Sequence, residues 1–227
     1  MILSPLLSQI PYLSHSFGTL GDSQTPKSLV VSKQVHGTEI FFAKGISKDL
    51  DGFDVLMTDQ KNMAVAVRTA DCLPVLMVDP TRGLIAAVHA GWKGTFQWIS
   101  HKAVKKFVSL GSEPTNIVVA LGPCMKGECY EIEEDVASSF DREFPGWPIL
   151  RRKSETKWLL DITEANRLQL VAAGLVPEKI DHINLCTHCR QDLFYSFRRE
   201  GEKAGRMVNF IQWSDETPGL YSGFTPS

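Results

Sequence analysis

Three residues in this chain have side chains suited to holding a metal, or to acting as a nucleophile and its base. They are His36 in Gln34-Val35-His36-Gly37, Cys72 in Ala70-Asp71-Cys72-Leu73-Pro74, and His89 in His89-Ala90-Gly91-Trp92. Cys72 and His89 flank two short apolar runs, 75–78 and 84–88, joined by Asp79-Pro80-Thr81-Arg82-Gly83. The runs are too short and too β-branched for helices, and the connection has turn chemistry, so the stretch predicts a β-hairpin. Closing the turn brings Cys72 and His89 roughly opposite each other, where facing Cβ atoms lie about 5 Å apart. A thiol and an imidazole at that distance are either metal ligands or a nucleophile with its base. His36 ends a short strand beside a glycine and can converge on the same point. Three N and S donors with one open position form the pattern of catalytic zinc, whereas structural zinc takes four. A lone histidine or cysteine at a strand end is more often a packing residue, so spacing alone leaves both readings open.

The elements that must position these residues follow from the hydrophobic period. Residues 29–31, 40–43, 55–58 and 64–67 read as short strands, with His36 at the bend between the first two. After Trp92-Lys93-Gly94-Thr95, the residues Phe96, Ile99, Ala103, Phe107 and Leu110 recur at helical spacing, and Gly111 ends that helix. Residues 117–121 form a continuous apolar strand leading into Gly122-Pro123-Cys124. A helix is predicted over 133–143 and a surface loop over 145–157. A second helix opens with the capping-box pair Asp161 and Glu164 and ends at Gly174. Residues 180–185 and 207–213 read as strands, and the tail over 214–227 as irregular. If 194–199 is also a strand, Arg198 and Arg199 cannot both face a site, and one is a surface charge. With no repeat, linker or boundary in view, one domain over 1–227 is expected. Strands and helices mix without strict alternation, which predicts an α+β fold: a sandwich of mixed sheets flanked by helices.

Composition narrows the partners. The 227 residues carry 24 Lys and Arg against 26 Asp and Glu, which gives no electrostatic case for nucleic acid or an anionic membrane. No run reaches the roughly 18 apolar residues that a membrane span needs. The first twenty residues lack Lys and Arg and are interrupted by Pro5 and Pro11, unlike a secretory leader. Five cysteines are an odd number, so reduced thiols in a cytoplasm are expected. No oligomeric state follows from the sequence.

The histidine and cysteine motifs above, extended to His89-Ala90-Gly91-Trp92-Lys93-Gly94, are joined in order by Gly122-Pro123-Cys124 and Phe194-Tyr195-Ser196-Phe197-Arg198-Arg199. Across residues 29–211 this set resembles the polyphenol-oxidase or laccase-domain family, whose members are described as purine nucleoside phosphorylases. The resemblance implies a mononuclear zinc held by His36, Cys72 and His89. It also implies an α/β sandwich related to bacterial deamidase toxins that use a Cys–His pair. The implied activities are phosphorolysis of adenosine, inosine and methylthioadenosine, and deamination of adenosine, with a purine nucleoside and phosphate as partners. Cys72, His89, Asp71 and Arg198 are the catalytic candidates. Gln34, Arg68, Lys93, Cys124 and Tyr195 are the candidates for substrate binding. Asp71 could orient a ligand histidine or cap a turn, and Cys124 could line the pocket or pack. Copper is less favoured, because copper clusters draw on many paired histidines and this chain has six scattered ones.

One position departs from the family pattern. Where the family commonly has arginine in a G-F-S-T-R-x-G-G segment, this chain reads His15-Ser16-Phe17-Gly18-Thr19-Leu20-Gly21, with Leu20 in the arginine's place. Arginine clamps phosphate bidentately and leucine cannot, so phosphorolysis is expected to be weak unless Lys33, Arg68 or Arg198 compensates. Cys186-x-x-Cys189, with His188 between, reads as a redox pair or half a zinc site. No second Cys-x-x-Cys completes it, and an incidental or structural role is expected. Two other functions stay open. One is a cysteine hydrolase, with Cys72 as nucleophile and His89 as base, acting on an amide such as a peptidoglycan precursor. The other is a non-catalytic nucleoside-binding protein.

Overall fold

The computed structural model describes residues 1–22, 25–45 and 50–215. In chain order the first strands are β1 (Leu13–Ser16), β2 (Leu29–Val30), β3 (Ser32–Lys33), β4 (Ile40–Ala43) and β5 (Leu50–Asp51). β6 (Val55–Thr58), β7 (Ala64–Thr69), β8 (Leu73–Asp79) and β9 (Leu84–Ala90) follow. Next come α1 (Trp92–Phe96), α2 (Ile99–Ser109), β10 (Val118–Leu121), β11 (Glu131–Glu133) and α3 (Glu134–Glu143). The remaining elements are β12 (Leu150–Arg152), β13 (Lys157–Leu160), α4 (Ile162–Ala172), β14 (Ile180–His182), α5 (Phe197–Glu200) and β15 (Met207–Trp213).

Two mixed sheets carry the fold. One runs β14-β10-β8-β9-β6-β4 and the other β1-β15-β7-β2. The β8–β9 hairpin lies at the centre of the larger sheet, and every residue of its two strands is buried. Side chains therefore pack on both faces, which explains why these strands read as unbroken apolar runs. Leu76, Val78, Ile85 and Ala87 face Val65 and Val67 of the second sheet. Val75, Met77, Ala86 and Val88 face the helical layer, where Ile99, Ala103, Phe107 and Leu170 pack. Each fully buried aliphatic side chain contributes about 1.5–3 kcal/mol, so this three-layer core holds the hairpin rigidly. Among the described residues, no helix is long and apolar enough to cross a membrane.

Several expectations about elements need correction. The helix predicted from Phe96 onward breaks at Trp98, whose φ of 64° is left-handed. The break turns the indole onto Phe144 and Trp147, at ring-centroid distances of 5.0 and 5.4 Å, and lets its N–H donate to Glu143. Leu110 lies beyond α2 and is 38% exposed. The loop expected over 145–157 contains β12, which pairs with β13 and seats Leu150 against Leu160. The strand expected to run to 185 stops at His182. Asp161 caps α4 by accepting from Glu164 N–H at 2.9 Å, but Glu164 turns to Arg167 instead of completing the box. Gly174, at φ +98°, ends the turn after α4. Residues 197–200 form a helix, not a strand, with Ser196 as its N-cap. The expected irregular tail lies, after residue 215, outside the described residues.

Candidate metal centre and its cleft

The hairpin register pairs Pro74 with His89 and Leu73 with Ala90. Cys72, just before β8, is therefore diagonal to His89 and not directly opposite it. Diagonal neighbours on one face still meet when both side chains lean inward. His36 arrives from the loop after β3 with φ 61°, a left-handed backbone unusual for a non-glycine residue. Its Nε2 is 3.9 Å from Cys72 Sγ, and one donor atom from each of His36, Cys72 and His89 lies within 4.8 Å of the others. Donors on one tetrahedral zinc would be about 3.5 Å apart, so the three side chains fit a single ion with little adjustment. Gly91 makes room for them: a Cβ there would lie 2.8 Å from His36 Cδ2 and 3.2 Å from Cys72 Sγ.

Asp54 organises two of these donors, and the sequence reading missed it. Its Oδ1 is 2.7 Å from His89 Nδ1, and the carboxylate accepts the backbone N–H groups of Val35, His36 and Gly37. With Nδ1 engaged, His89 has only Nε2 free for a ligand. Burial opposes ionisation of Asp54, but His89 and these N–H groups outweigh it and lower its pKa. Burial also opposes charge on Cys72; the neighbouring His89, with hydrogen bonds from His36 and His89, outweighs it and brings the thiol down to about 6. His89, likewise buried, is raised to about 9 by Cys72 and Asp54. The metal-free pair therefore favours thiolate and imidazolium, and a metal must displace the imidazolium proton to bind.

Asp71 does not orient a histidine. Its carboxylate accepts from Thr187 Oγ1, Ser196 Oγ and the Arg198 N–H, at 2.7, 3.0 and 2.7 Å. Those three bonds hold the left-handed φ of 86° at Asp71, and so fix the residue before Cys72. The orienting role expected of Asp71 belongs to Asp54.

The His36–Cys72–His89 trio lies in a cleft of about 960 Å³ whose lining includes Gln34, Arg68, Trp92, Tyr130, Arg198 and Arg206. Gln34 faces the cleft, but both ends of its amide bind the Arg68 backbone, at 2.8 and 2.7 Å. Arg198 lies over the Tyr130 ring and donates to Glu131 O. Arg199 is not a surface charge: it donates to the carbonyls of Thr187, His188 and Phe194 and braces α5 from behind. Three expected substrate contacts fall outside the cleft lining. Lys93 lies over the Trp92 ring. Cys124 is fully buried, with Sγ 3.1 Å from Thr163 Oγ1, and burial pushes its thiol up to about 12. Tyr195 lines a smaller cavity of about 250 Å³ together with Thr19, Gly21 and Arg206. Arg206 thus borders both cavities; its only sequence signal was a cation just before the last strand. Leu20 is 36% exposed, and its N–H binds Leu193 O.

Residues 19–214 match the family model described as multi-copper polyphenol oxidoreductase laccase. The chain belongs to this family. This laccase-family chain is 38% identical over 165 residues to the purine nucleoside phosphorylase YlmD of Bacillus subtilis strain 168. That match covers 71% of the chain and 59% of the relative, so the chain spans less than two thirds of that protein's length. It is 32% identical over 194 residues to the adenosine deaminase RL5 of an unknown prokaryotic organism, covering 81% of the chain and 74% of RL5. The crystal structure of YlmD from Geobacillus stearothermophilus shares the fold with a TM-score of 0.79 at 33% identity, over 83% of this chain and 74% of that one. Family membership and the His-Cys-His geometry together point to a metal cofactor.

Proposed function

We propose that this laccase-family chain is a zinc-dependent purine nucleoside enzyme. On this reading it phosphorolyses adenosine, inosine and methylthioadenosine, deaminates adenosine, and works as one domain in the cytoplasm. The observation that carries the proposal is the convergence of His36, Cys72 and His89 in a cleft with aromatic and cationic walls. The similarity to YlmD and RL5 supports the same reading. Two imidazoles and one thiolate with an open position are a donor set that zinc takes, and because blue-copper sites use the same donors, metal analysis decides between the two ions. Zinc held there would supply Lewis acidity and hydroxide near neutral pH.

The chain's own groups would do the rest. Asp54 holds His89 in the tautomer that offers Nε2. Trp92, Tyr130 and Phe197 offer ring faces for a purine. In phosphorolysis a phosphate oxygen bonds to C1′ of the ribose while the bond from C1′ to the purine nitrogen breaks, and the departing purine takes up a proton. Arg68, Arg198 and Arg206 would hold the multiply charged phosphate. Arg198 is positioned for this by Asp71, which fixes its backbone N–H. Incubating the metal-loaded protein with adenosine, with and without phosphate, tests the proposal. Inosine, or free purine with ribose 1-phosphate, is the expected product; neither product under either condition overturns it.

A second reading has its own support. Cys72, His89 and Asp54 stand in the order nucleophile, base and orienting carboxylate. A cysteine hydrolase acting on an amide, with the kinship to deamidase toxins that the resemblance implies, would use that order. Near-stoichiometric metal, with Cys72 resistant to alkylation until a chelator is added, favours the zinc enzyme. Immediate alkylation of a metal-free protein favours the hydrolase.

A further inference from the structure

The motif Cys186-Thr187-His188-Cys189 lacks a partner motif in the sequence, but the fold supplies a third sulfur from elsewhere. Cys129, between β10 and β11, brings its Sγ to 3.3 Å from Cys189 Sγ. The Sγ atoms of Cys129, Cys186 and Cys189 all lie within 4.8 Å of one another. Sulfurs sharing one tetrahedral zinc at about 2.3 Å would be about 3.8 Å apart, inside that spread. A disulfide needs about 2.05 Å, and all three cysteines are free.

Backbone pairing joins the two segments before any ion enters. Cys124 and Cys186 form a parallel bridge, and Thr187 N–H donates to Cys124 O at 3.0 Å. Three sulfurs this close can converge on one cation.

We infer that Cys129, Cys186 and Cys189 form a second metal site, separate from the His36–Cys72–His89 centre, that takes one thiophilic cation, zinc in a reducing compartment. An all-sulfur donor set is soft and selects zinc over magnesium, calcium or manganese. Cys189 is exposed, so solvent can reach the site and fill the fourth position. The ion would tie the segment leading into Tyr130 to the loop leading toward α5. Those are two walls of the cleft.

The probe is zinc itself, equilibrated with the reduced full-length chain and counted after removal of the excess. Wild type should retain two equivalents, and the near-isosteric Cys129→Ser and Cys189→Ser variants one. Cobalt substitution gives a readout independent of stoichiometry. In a His36→Ala, His89→Ala double variant, the remaining cobalt should show thiolate charge-transfer absorption, and Cys129→Ser added to that background should abolish it. Circular dichroism establishes that each variant is folded; if Cys129→Ser does not fold, Cys189→Ser at the exposed ligand decides. A zinc content that both serine variants leave unchanged, or a Cys129–Cys189 disulfide in place of the ion, overturns the inference. None of these outcomes depends on nucleoside turnover, so the two proposals fail separately.

Discussion

Asp54 Oδ1 lies 2.7 Å from His89 Nδ1, and the same carboxylate accepts three consecutive backbone N–H groups around His36. One fully buried side chain thus sets the ring orientation of one donor and the backbone of another. Asp54→Asn keeps the size but puts an N–H donor where an acceptor is needed. The groups that orient metal ligands typically change affinity by about 10–100-fold when replaced. Asp54→Asn should weaken zinc at the His36–Cys72–His89 centre by that factor, measured by competition with a chromophoric chelator. Unchanged affinity would mean that the hairpin alone holds His89.

Gly91 has φ −73°, so alanine is allowed there by the backbone and refused only by its neighbours. The added Cβ would stand 2.8 Å from His36 Cδ2 and 3.2 Å from Cys72 Sγ. Gly91→Ala should therefore displace His36 and lose the metal of this centre while the chain stays folded. Gly45→Ala, where a Cβ meets nothing within 4 Å, is the control. Metal content and a thermal melt of each variant check this.

His15 is buried, and its Nε2 accepts the N–H of Ser4 at 2.9 Å. Burial lowers its pKa from 6.5 to about 4, against the raising effect of Asp181. The unfolded chain then takes up this proton first as pH falls. The resulting stability is present at pH 7 and lost progressively between pH 6.5 and 4. The full loss is about 3 kcal/mol by linkage. His15→Gln keeps an acceptor for Ser4 and does not titrate. Its urea midpoint should fall less than that of wild type between pH 7 and pH 5; parallel pH curves would count against this.

The family resemblance implies an arginine where this chain has Leu20, which leaves Arg68, Arg198 and Arg206 to hold phosphate. Phosphorolysis needs positioned positive charge far more than deamination does. Inosine formation from adenosine should therefore dominate without added phosphate, with little ribose 1-phosphate. Leu20→Arg should raise the phosphate-dependent rate and leave deamination nearly unchanged. Strong phosphate-dependent cleavage by the unmodified chain would show that Arg68, Arg198 or Arg206 already supplies the clamp. Arg206→Gln, which borders both cavities, would then remove it.

The sequence made the hairpin readable because its runs are β-branched and its turn is marked by Pro80 and Gly83. Strand ends that the pattern could locate put His36, Cys72 and His89 within reach of one another but left packing and metal binding both open; the family resemblance supplied the ligand set. Asp54 was hidden because Asp51-Gly52-Phe53-Asp54 reads as turn punctuation. Its role depends on β6 lying beside β9, a pairing between segments far apart in the chain. The break at Trp98 was invisible for a similar reason: helical spacing continues through it, and only the aromatic cluster with Phe144 and Trp147 explains the bend. Cys129 showed no link to Cys186 and Cys189 because nothing local joins them.

The three N–H groups gathered by Asp54 place the ordering of the 35–37 loop within folding itself, not within metal capture. Each rotamer-rich side chain immobilised on binding costs about 0.5–1.5 kcal/mol, and this centre leaves few such choices for the moment of encounter. Loading would be limited by passage through the mouth of the cleft and by release of the His89 proton, so it should quicken as pH rises toward 9, where that proton leaves.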